Sequence, residues 1–405
     1  MMDMDNKPLR LLDWEAGNAP GPWKVTVFPT WKCNLLCTIC DKTWGGNPED
    51  QFNELSEARW LEVVDEAAAL GVREWHIGGG GEPMLRHDLI MAMCARVKHH
   101  GMAGVLQTNG TCFKPGDAEK LAAMQWDVVN VSIDGPNAEI NDAVRFRRDF
   151  HNATRAVKKL CAAKGNNPGK EPRINIATVL TNMLLPKLQE MVDLAHELHA
   201  TRIHFLNLIP YNEEVAKFAL TEEQKEALPE VAEAARRKAE SHGLEHNLND
   251  FVDGGLGLDR TGITAEKLPD HAVPVTQSAC YEPWLSAVFV SNGTISPCCV
   301  FWEDEAKSLR DHSFGELWHG HYMGGLRQRF LENRPLDACV RCQTNLIRHH
   351  ADVQEELKPH LNGDTHFSLS PGNLVRRTVN SLSSAGLVGS LQRGREWLGI
   401  RATLK

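Results

Sequence analysis

Six segments typical of β-strands alternate with segments typical of helices over the first half of the chain. The strand-like runs cover residues 23–30, 72–77, 104–108, 127–133, 173–180 and 202–209. The helix-like runs between them cover residues 55–70, 87–100, 116–124, 152–163 and 186–200. Parallel strands require crossover connections of this kind, which are usually helices. The alternation therefore predicts an α/β fold with a parallel sheet, either wound or closed into a partial barrel.

Three cysteines follow the first predicted strand, in the segment Cys33-Asn-Leu-Leu-Cys37-Thr-Ile-Cys40. A [4Fe-4S] cluster takes four ligands, so three thiolates would leave one iron open to another molecule. Zinc sites usually begin from paired C-x2-C units, which the unequal spacing here does not match. A zinc site with a distant fourth ligand, or three thiols without a metal, are the alternatives. The spacing favours an open iron–sulfur cluster.

Glycines and small polar residues follow the next three predicted strands. Residues 78–83 read Gly-Gly-Gly-Gly-Glu-Pro, and the following strands end in residues 108–110 (Thr-Asn-Gly) and 132–135 (Ser-Ile-Asp-Gly). Active sites lie at the C-terminal ends of parallel strands, so these residues should share one edge with the cysteines. Glycine allows a ligand to approach the backbone closely, and Arg145 could hold a carboxylate with two hydrogen bonds. A flexible glycine loop and a surface arginine are the simpler interpretations of each motif alone.

In this order, the motifs resemble the radical S-adenosylmethionine (SAM) superfamily over residues 24–210. The resemblance implies a partial (β/α)6 barrel in which Cys33, Cys37 and Cys40 bind three irons of a [4Fe-4S] cluster and SAM binds the fourth. It also implies that SAM is contacted by Gly80, Gly81, Glu82, Asn109, Ser132, Asp134 and Arg145. Ile39 departs from the family pattern, in which an aromatic residue commonly precedes the third cysteine. An aliphatic side chain can also cover an adenine ring.

A second set of cysteines lies near the C-terminal end of the chain and comprises Cys280, Cys298, Cys339 and Cys342. Four thiolates would close one cluster, although they would also satisfy zinc. The pattern resembles the SPASM-type auxiliary domain in its shortened "twitch" form, since no cysteine follows Cys342. The resemblance implies one auxiliary [4Fe-4S] cluster. Cys299 is left as an alternative ligand, a buried thiol or a hydrogen-atom donor.

The organisation predicted for the 405 residues has five parts. They are an irregular lead-in (1–22), the partial barrel (23–210), a helical and loop connection (211–275), the auxiliary domain (276–348) and a C-terminal tail (349–405). The pair Asn292-Gly293 predicts a β-hairpin in the auxiliary domain. The tail is basic and amphipathic, which would suit weak contact with a membrane surface or a partner, or packing on the barrel.

Composition narrows the compartment and the partners. The net charge of −9 argues against nucleic-acid binding. The polar start lacks the features of a signal peptide, so the eleven cysteines are not expected to form disulfides. No apolar run reaches membrane-spanning length. These features predict a cytoplasmic iron–sulfur protein.

The resemblance implies a radical SAM oxidoreductase or maturase. Such an enzyme cleaves SAM reductively to a 5'-deoxyadenosyl radical, which takes a hydrogen atom from a substrate, and the auxiliary cluster assists. Peptide modification and the oxidation of sugar or aminocyclitol alcohols are both open, because no peptide-recognition domain is expected before Cys33. The electron donor would be a protein such as flavodoxin or ferredoxin. The alternative is a non-catalytic iron–sulfur or zinc protein that senses redox state or binds a partner on the same scaffold.

Overall fold

The computed structural model describes residues 7–40, 53–145, 149–167, 169–210, 212–252, 270–299, 301, 307–342 and 344–361. Residues 1–354 form one compact unit and residues 355–405 form a second. Most of the predicted basic tail, from residue 362 onward, lies outside the described residues. In the part of the chain that is described, no helix is both long and apolar enough to cross a membrane.

A single mixed sheet organises the first unit. Its strands are β1 (Lys24–Val27), β2 (Glu74–Ile77), β3 (Ala103–Thr108), β4 (Val128–Ser132), β5 (Arg173–Leu180), β6 (Arg202–Asn207), β7 (Ser286–Phe289) and β8 (Ile295–Ser296). The strands lie in the order β6-β5-β4-β3-β2-β1-β7-β8. All pairs from β6 to β7 are parallel, and β7 pairs with β8 antiparallel. The predicted partial (β/α)6 barrel is confirmed.

Helices follow or connect these strands. Those of the barrel are α1 (Lys7–Glu15), α2 (Glu57–Ala69), α3 (His87–His99), α4 (Asp117–Ala123), α5 (Ala138–Arg145), α6 (Asp149–Ala163) and α7 (Leu188–Glu197). Those beyond it are α8 (Glu213–Ala216), α9 (Glu222–Ser241), α10 (Asn249–Val252), α11 (Glu282–Leu285), α12 (Phe314–His319), α13 (His321–Leu331) and α14 (Thr344–Leu361). Short 3-10 turns cover Pro83–Arg86, Leu185–Lys187, Val275–Gln277 and Asp337–Arg341.

The two faces of the sheet differ in polarity. In β1 and β2 the fully buried positions are Val25, Val27, Trp75 and Ile77, which pack into the main hydrophobic core. Because side chains alternate along a strand, the other face of the same strands carries polar residues such as Lys24 and His76. Helices such as α2 and α3 cover the apolar face, and the opposite face, termed the inner face, carries the polar residues.

The β7–β8 hairpin predicted around Asn292-Gly293 is present. Its position was not predicted. Strand β7 runs parallel to β1, with Lys24 opposite Ser286 and Val27 opposite Phe289. The segment expected to open the auxiliary domain therefore extends the barrel sheet, and residues 1–354 form one compact unit. Parallel pairing between strands about 260 residues apart leaves no local signal in the sequence.

The lead-in was predicted to be irregular, and that prediction is wrong for residues 7–15. Lys7–Glu15 forms helix α1, in which Leu11 is fully buried. The guanidinium of Arg10 donates hydrogen bonds to the carbonyls of Gly21, Pro22 and Gly71. A nine-residue helix is marginal in isolation, so it is tertiary contacts that stabilise it. The segment Pro20-Gly21-Pro22, which is typical of irregular structure, comes after the helix has ended.

Candidate functional site

The three-cysteine loop leaves β1 and docks on the C-terminal end of α5. Thr38 donates through its backbone N–H and its hydroxyl to the carbonyl of Val144, at 2.8 and 2.9 Å. The thiol of Cys37 lies 3.5 Å from the carbonyl of Arg145. Cys40 is tied back to the same loop, since its backbone N–H donates to the Cys37 carbonyl at 3.2 Å. The helix therefore determines where the loop presents its sulfur atoms.

The thiol of Cys37 is poorly suited to ionise without a metal. Burial raises its pKa to about 12, although the positive charge of Arg145 acts in the opposite direction. A cysteine binds a metal as the thiolate, and metal binding releases the proton. The Leu35 N–H also donates to the Cys33 sulfur at 3.5 Å. These features fit three thiolates that bind iron.

The glycine loop packs against the backbone that leads into the cysteines. Gly81 donates to the carbonyl of Thr30 at 2.8 Å, and Glu82 donates to the carbonyl of Lys32 at 2.8 Å. A Cβ atom on Gly81 would lie 1.8 Å from the Lys32 oxygen, which is impossible without movement. Gly80 has a φ of +62°, a conformation that favours glycine. The predicted SAM-binding glycines therefore also fix the position of the cysteine loop.

Glu82 joins this loop to the end of β3. Its carboxylate accepts hydrogen bonds from the Met84 N–H at 3.0 Å, the Thr108 hydroxyl at 2.6 Å and the Asn109 N–H at 2.7 Å. Burial raises the pKa of Glu82, and these three donors act to lower it. A carboxylate offers about four acceptor positions, so about one remains for a further donor. A SAM amino group would be such a donor, and that role stays a prediction.

Asn109 connects the end of β3 directly to the cysteine loop. Its side-chain N–H₂ donates to the Asn34 side-chain oxygen at 2.9 Å. Its own oxygen accepts from the backbone N–H and the hydroxyl of Thr111, at 2.9 and 2.7 Å. The Asn34 amide in turn donates to the Thr111 hydroxyl at 2.7 Å. Asn34 and Thr111 were not predicted as site residues. Their only signal in the sequence is position, since Asn34 follows Cys33 and Thr111 comes two residues after Asn109.

Arg145 is held between two carboxylates. Its guanidinium donates to Asp134 at 2.8 Å and to Asp149 at 2.8 Å, and both carboxylates are almost completely buried. Burial would lower the pKa of Arg145, but the negative charges of Asp134, Cys37 and Asp149 raise it overall. Asp134 also accepts from the Val179 N–H at 2.7 Å. Asp134 therefore orients Arg145 and ties it to β5, while its predicted contact with SAM stays a prediction.

Ser132 lies at the end of β4, on the polar inner face of the sheet. Its hydroxyl accepts a hydrogen bond from the Gln107 amide at 2.9 Å. On the same face, the Asn175 amide donates to the Asn130 side-chain oxygen at 3.0 Å. This face can therefore present amide and hydroxyl groups to a polar ligand beside the cysteine loop.

The second set of cysteines surrounds one cavity. Cys280, Cys298, Cys339 and Cys342 line it, together with apolar residues such as Phe301 and Phe330. Its empty volume is about 450 Å³, including the opening to solvent. Cys299 does not line the cavity and instead packs beside Phe28, Trp31, Val288 and Val290. Four thiolates could close one [4Fe-4S] cluster, in which each binds a different iron, or hold a single zinc ion, from which all four sulfurs lie about 2.3 Å. The structure brings the four predicted ligands to one cavity and places Cys299 outside it, while their binding of a cluster stays a prediction.

Two buried serines orient two of these cysteines, and sequence analysis missed both. The Ser278 hydroxyl donates to the Cys280 carbonyl at 3.0 Å, and the Ser296 hydroxyl donates to the Cys298 carbonyl at 2.8 Å. In each case the serine precedes the cysteine by two residues. The shared Ser-x-Cys pattern was the signal in the sequence from which the two serines could have been predicted. Burial also raises the pKa of Cys280 well above its ordinary value, so this thiol too needs a metal to ionise.

Comparisons with known proteins agree with this geometry. Residues 27–198 match the radical SAM superfamily, and residues 280–343 match SPASM, described as an iron–sulfur cluster-binding domain. Both domains imply [4Fe-4S] clusters.

Two curated relatives differ in how much of the chain they match. The chain is 36% identical to mycofactocin maturase MftC of Mycolicibacterium smegmatis over 193 residues, which are 47% of this chain and 46% of the relative. The match thus spans about half the length of that relative. Fe-coproporphyrin III synthase of Methanosarcina barkeri is 26% identical over 371 residues, or 84% of this chain and 85% of the relative.

Among solved structures, Streptococcus suis SuiB bound to the precursor peptide SuiA has a TM-score of 0.60 at 18% identity. The likeness covers 80% of this chain and 70% of that chain. At this identity it shows the fold alone.

Proposed function

We propose that this chain, a radical SAM protein with a C-terminal SPASM domain, is an enzyme that oxidises or otherwise modifies a peptide. Reductive cleavage of SAM at the open cluster would supply a 5'-deoxyadenosyl radical, which removes a hydrogen atom from the substrate. The cofactors carry this chemistry, and the protein binds, orients and shields the reacting groups.

The observation that carries the proposal is the pairing of β1 with β7. The cysteine loop follows β1, and the hairpin that leads to Cys298 begins with β7. Both sets of thiols are therefore attached to neighbouring strands of one sheet. The first set follows the C-terminal end of β1, and the second set lies towards its N-terminal end, where Lys24 pairs with Glu282. A substrate bound on the inner face along β1 would lie between the two sets. This arrangement supports a role in which one cluster starts the reaction and the other accepts an electron.

The residues of the site would have separate tasks. Cys33, Cys37 and Cys40 would bind the first cluster, and Gly80, Gly81 and Glu82 would receive the amino group of SAM. Asn109, Ser132 and Arg145 would lie around the rest of SAM, and Asp134 would orient Arg145. Cys280, Cys298, Cys339 and Cys342 would bind the auxiliary cluster.

A peptide is the substrate class that the relatives favour. One relative is named a maturase, and SuiB was solved with a precursor peptide. The inner face offers the Gln107, Asn130 and Asn175 amides, which can hydrogen-bond to peptide groups.

A tetrapyrrole is the second candidate substrate. It is favoured by one observation, namely that the match to Fe-coproporphyrin III synthase covers most of both chains.

The enzymatic proposal is tested by anaerobic reconstitution with iron and sulfide, followed by incubation with SAM and dithionite. We expect 5'-deoxyadenosine from the wild-type protein and none from Cys33→Ala. Cys94→Ala is the matched control, because it removes a thiol buried in the hydrophobic core of the barrel. No 5'-deoxyadenosine from the wild type, with unchanged iron in Cys33→Ala, would instead support the non-catalytic alternative.

The two substrate classes are separated on the reconstituted protein. Peptides encoded by neighbouring reading frames should change mass after incubation with SAM and dithionite. Haemin, as an iron porphyrin probe, should then show no saturable change in absorbance on titration. Saturable haemin binding without any change in peptide mass would favour the tetrapyrrole.

A further inference from the structure

A partly buried charge pair reaches the wall of the auxiliary cavity through its acidic member. The Lys24 ammonium is 3.9 Å from a carboxylate oxygen of Glu282, and the two side chains are 20% and 7% exposed. Lys24 begins β1, and Glu282 begins α11, two residues after Cys280. Glu282 lines the same cavity as the four cysteines. The pair thus brings one positive and one negative charge to the edge of the proposed cluster site.

Two carboxylates keep Lys24 charged. Burial acts to lower the pKa of Lys24, and the negative charges of Glu282 and Glu74 act in the opposite direction, so that the pKa is raised overall. Lys24 therefore remains an ammonium ion beside Glu282.

The second acidic neighbour of Lys24 is already engaged elsewhere. Glu74, opposite Lys24 in β2, accepts a hydrogen bond from the Trp23 ring N–H at 2.9 Å and lies 3.3 Å from the His76 ring. Glu282 is thus the acidic group that both pairs with Lys24 and lines the cavity. A charge at a buried site is weakly screened by solvent, so its effect on a nearby cluster should be measurable.

We propose that Lys24 and Glu282 tune the reduction potential of the auxiliary cluster in opposite directions. Reduction adds one electron to the cluster, and no bond or proton transfer is involved. A positive charge nearby stabilises the reduced form, and a negative charge destabilises it, since net charge is one determinant of cluster potentials. Lys24 raises the potential and Glu282 lowers it. This inference rests on the proposed assignment of the four cysteines to a cluster.

The test uses the full-length protein with Cys33, Cys37 and Cys40 replaced by alanine, so that only the auxiliary cluster contributes. Its midpoint potential is measured by dithionite titration, with electron paramagnetic resonance as the readout. Lys24→Met should lower the potential and Glu282→Gln should raise it. We expect each substitution to change the equilibrium constant for reduction at least tenfold, which corresponds to a shift of about 59 mV in the midpoint potential for one electron.

Three further variants serve as controls. Lys24→Arg keeps the charge and should stay close to the parent protein. Lys24→Met/Glu282→Gln removes both charges and should return the potential towards the parent value. Lys98→Met breaks another lysine–carboxylate pair, in which Lys98 lies 2.7 Å from Asp127. Lys98 belongs to α3 and not to β1, so this variant should leave the potential unchanged.

The outcomes distinguish this inference from the proposed function. Shifts of the two single variants in the same direction, or no shift in either, would overturn the tuning role while leaving the cluster in place. Absence of iron from the parent triple variant would instead overturn the auxiliary cluster and, with it, this inference.

Discussion

At the scale of single residues, several predicted cofactor contacts have a second task in the chain itself. Gly81 is needed for close approach to the Lys32 carbonyl, and Glu82 collects three hydrogen bonds from two neighbouring segments. Both residues hold the cysteine loop against the end of the sheet. A substitution at either position should therefore disturb iron binding even before SAM is present.

Gly81→Ala is expected to prevent assembly of the first cluster. Its Cβ would lie 1.8 Å from the Lys32 oxygen, so the backbone before Cys33 must move. After anaerobic reconstitution we expect about four fewer irons per chain than in the wild type. Gly325→Ala is the matched control, because its Cβ would meet nothing within 4 Å. Full iron content in Gly81→Ala would contradict this role.

His76 should make stability depend on pH. Burial lowers the pKa of His76 below 6.5, the nearby Lys24 charge also lowers it, and Glu74 acts in the opposite direction. The unfolded chain then binds more protons than the folded chain as the pH falls below 6.5. The folded state should therefore lose stability as the pH decreases towards the pKa of folded His76.

His76→Gln should remove part of this loss. We expect the Tm of the apo protein to fall less for the variant than for the wild type between about pH 7.5 and 5.5. The His76 side chain is 32% exposed, so the difference should be small, about 1–3 °C. His271→Gln is the control, since that side chain is 74% exposed. An equal pH dependence in wild type and His76→Gln would show that His76 is not responsible.

At the scale of secondary-structure elements, α2 connects the barrel to the segment before α12. Arg59 donates to the carbonyls of Leu309 at 2.9 Å and His312 at 3.1 Å, and it also pairs with Glu66. Glu66 in turn accepts from the Phe314 N–H at the start of α12. One face of α2 thus holds a segment about 250 residues away.

Arg59→Met should destabilise the protein by about 1–3 kcal/mol, because two backbone carbonyls lose their donor. The measurement is the denaturation midpoint in urea. Arg96→Met is the control, since Arg96 forms a surface pair with Asp65 in which the two side chains are 40% and 48% exposed. Exposed pairs of that kind contribute about 0–1 kcal/mol. Equal midpoints for the two variants would rule out the proposed role of Arg59.

At the scale of the whole molecule, the two sets of cysteines are built on one sheet but do not share ligands. The first follows β1, and the second, whose members precede and follow β7 in the chain, surrounds a separate cavity. Each proposed cluster should therefore assemble without the other.

Replacing Cys33, Cys37 and Cys40 by alanine should reduce iron from about eight to about four per chain. Metal analysis of the anaerobically reconstituted protein measures this. The control is Cys94→Ala/Cys161→Ala, which removes two thiols buried in the hydrophobic core and should retain the full iron content. Zinc in the triple variant, or no metal at all, would show that the second set does not hold a [4Fe-4S] cluster.

Much of the architecture could be predicted from local patterns. Alternating strand and helix runs predicted the partial barrel, and Asn292-Gly293 predicted the hairpin between β7 and β8. Helix α1 was missed, because its stability comes from buried contacts such as those of Leu11 and Arg10 rather than from local preference.

The order of the elements and the spacing of the cysteines were determined by the sequence alone, since both depend on residues close together in the chain. Tertiary structure decided how those pieces combine. It placed β7 beside β1, turned Gly81 towards the Lys32 carbonyl and brought Lys24 to Glu282. These contacts join residues that are about 50 to 260 positions apart. Strand pairing and charge pairing at such separations depend on packing in three dimensions, which no periodic pattern in the sequence records.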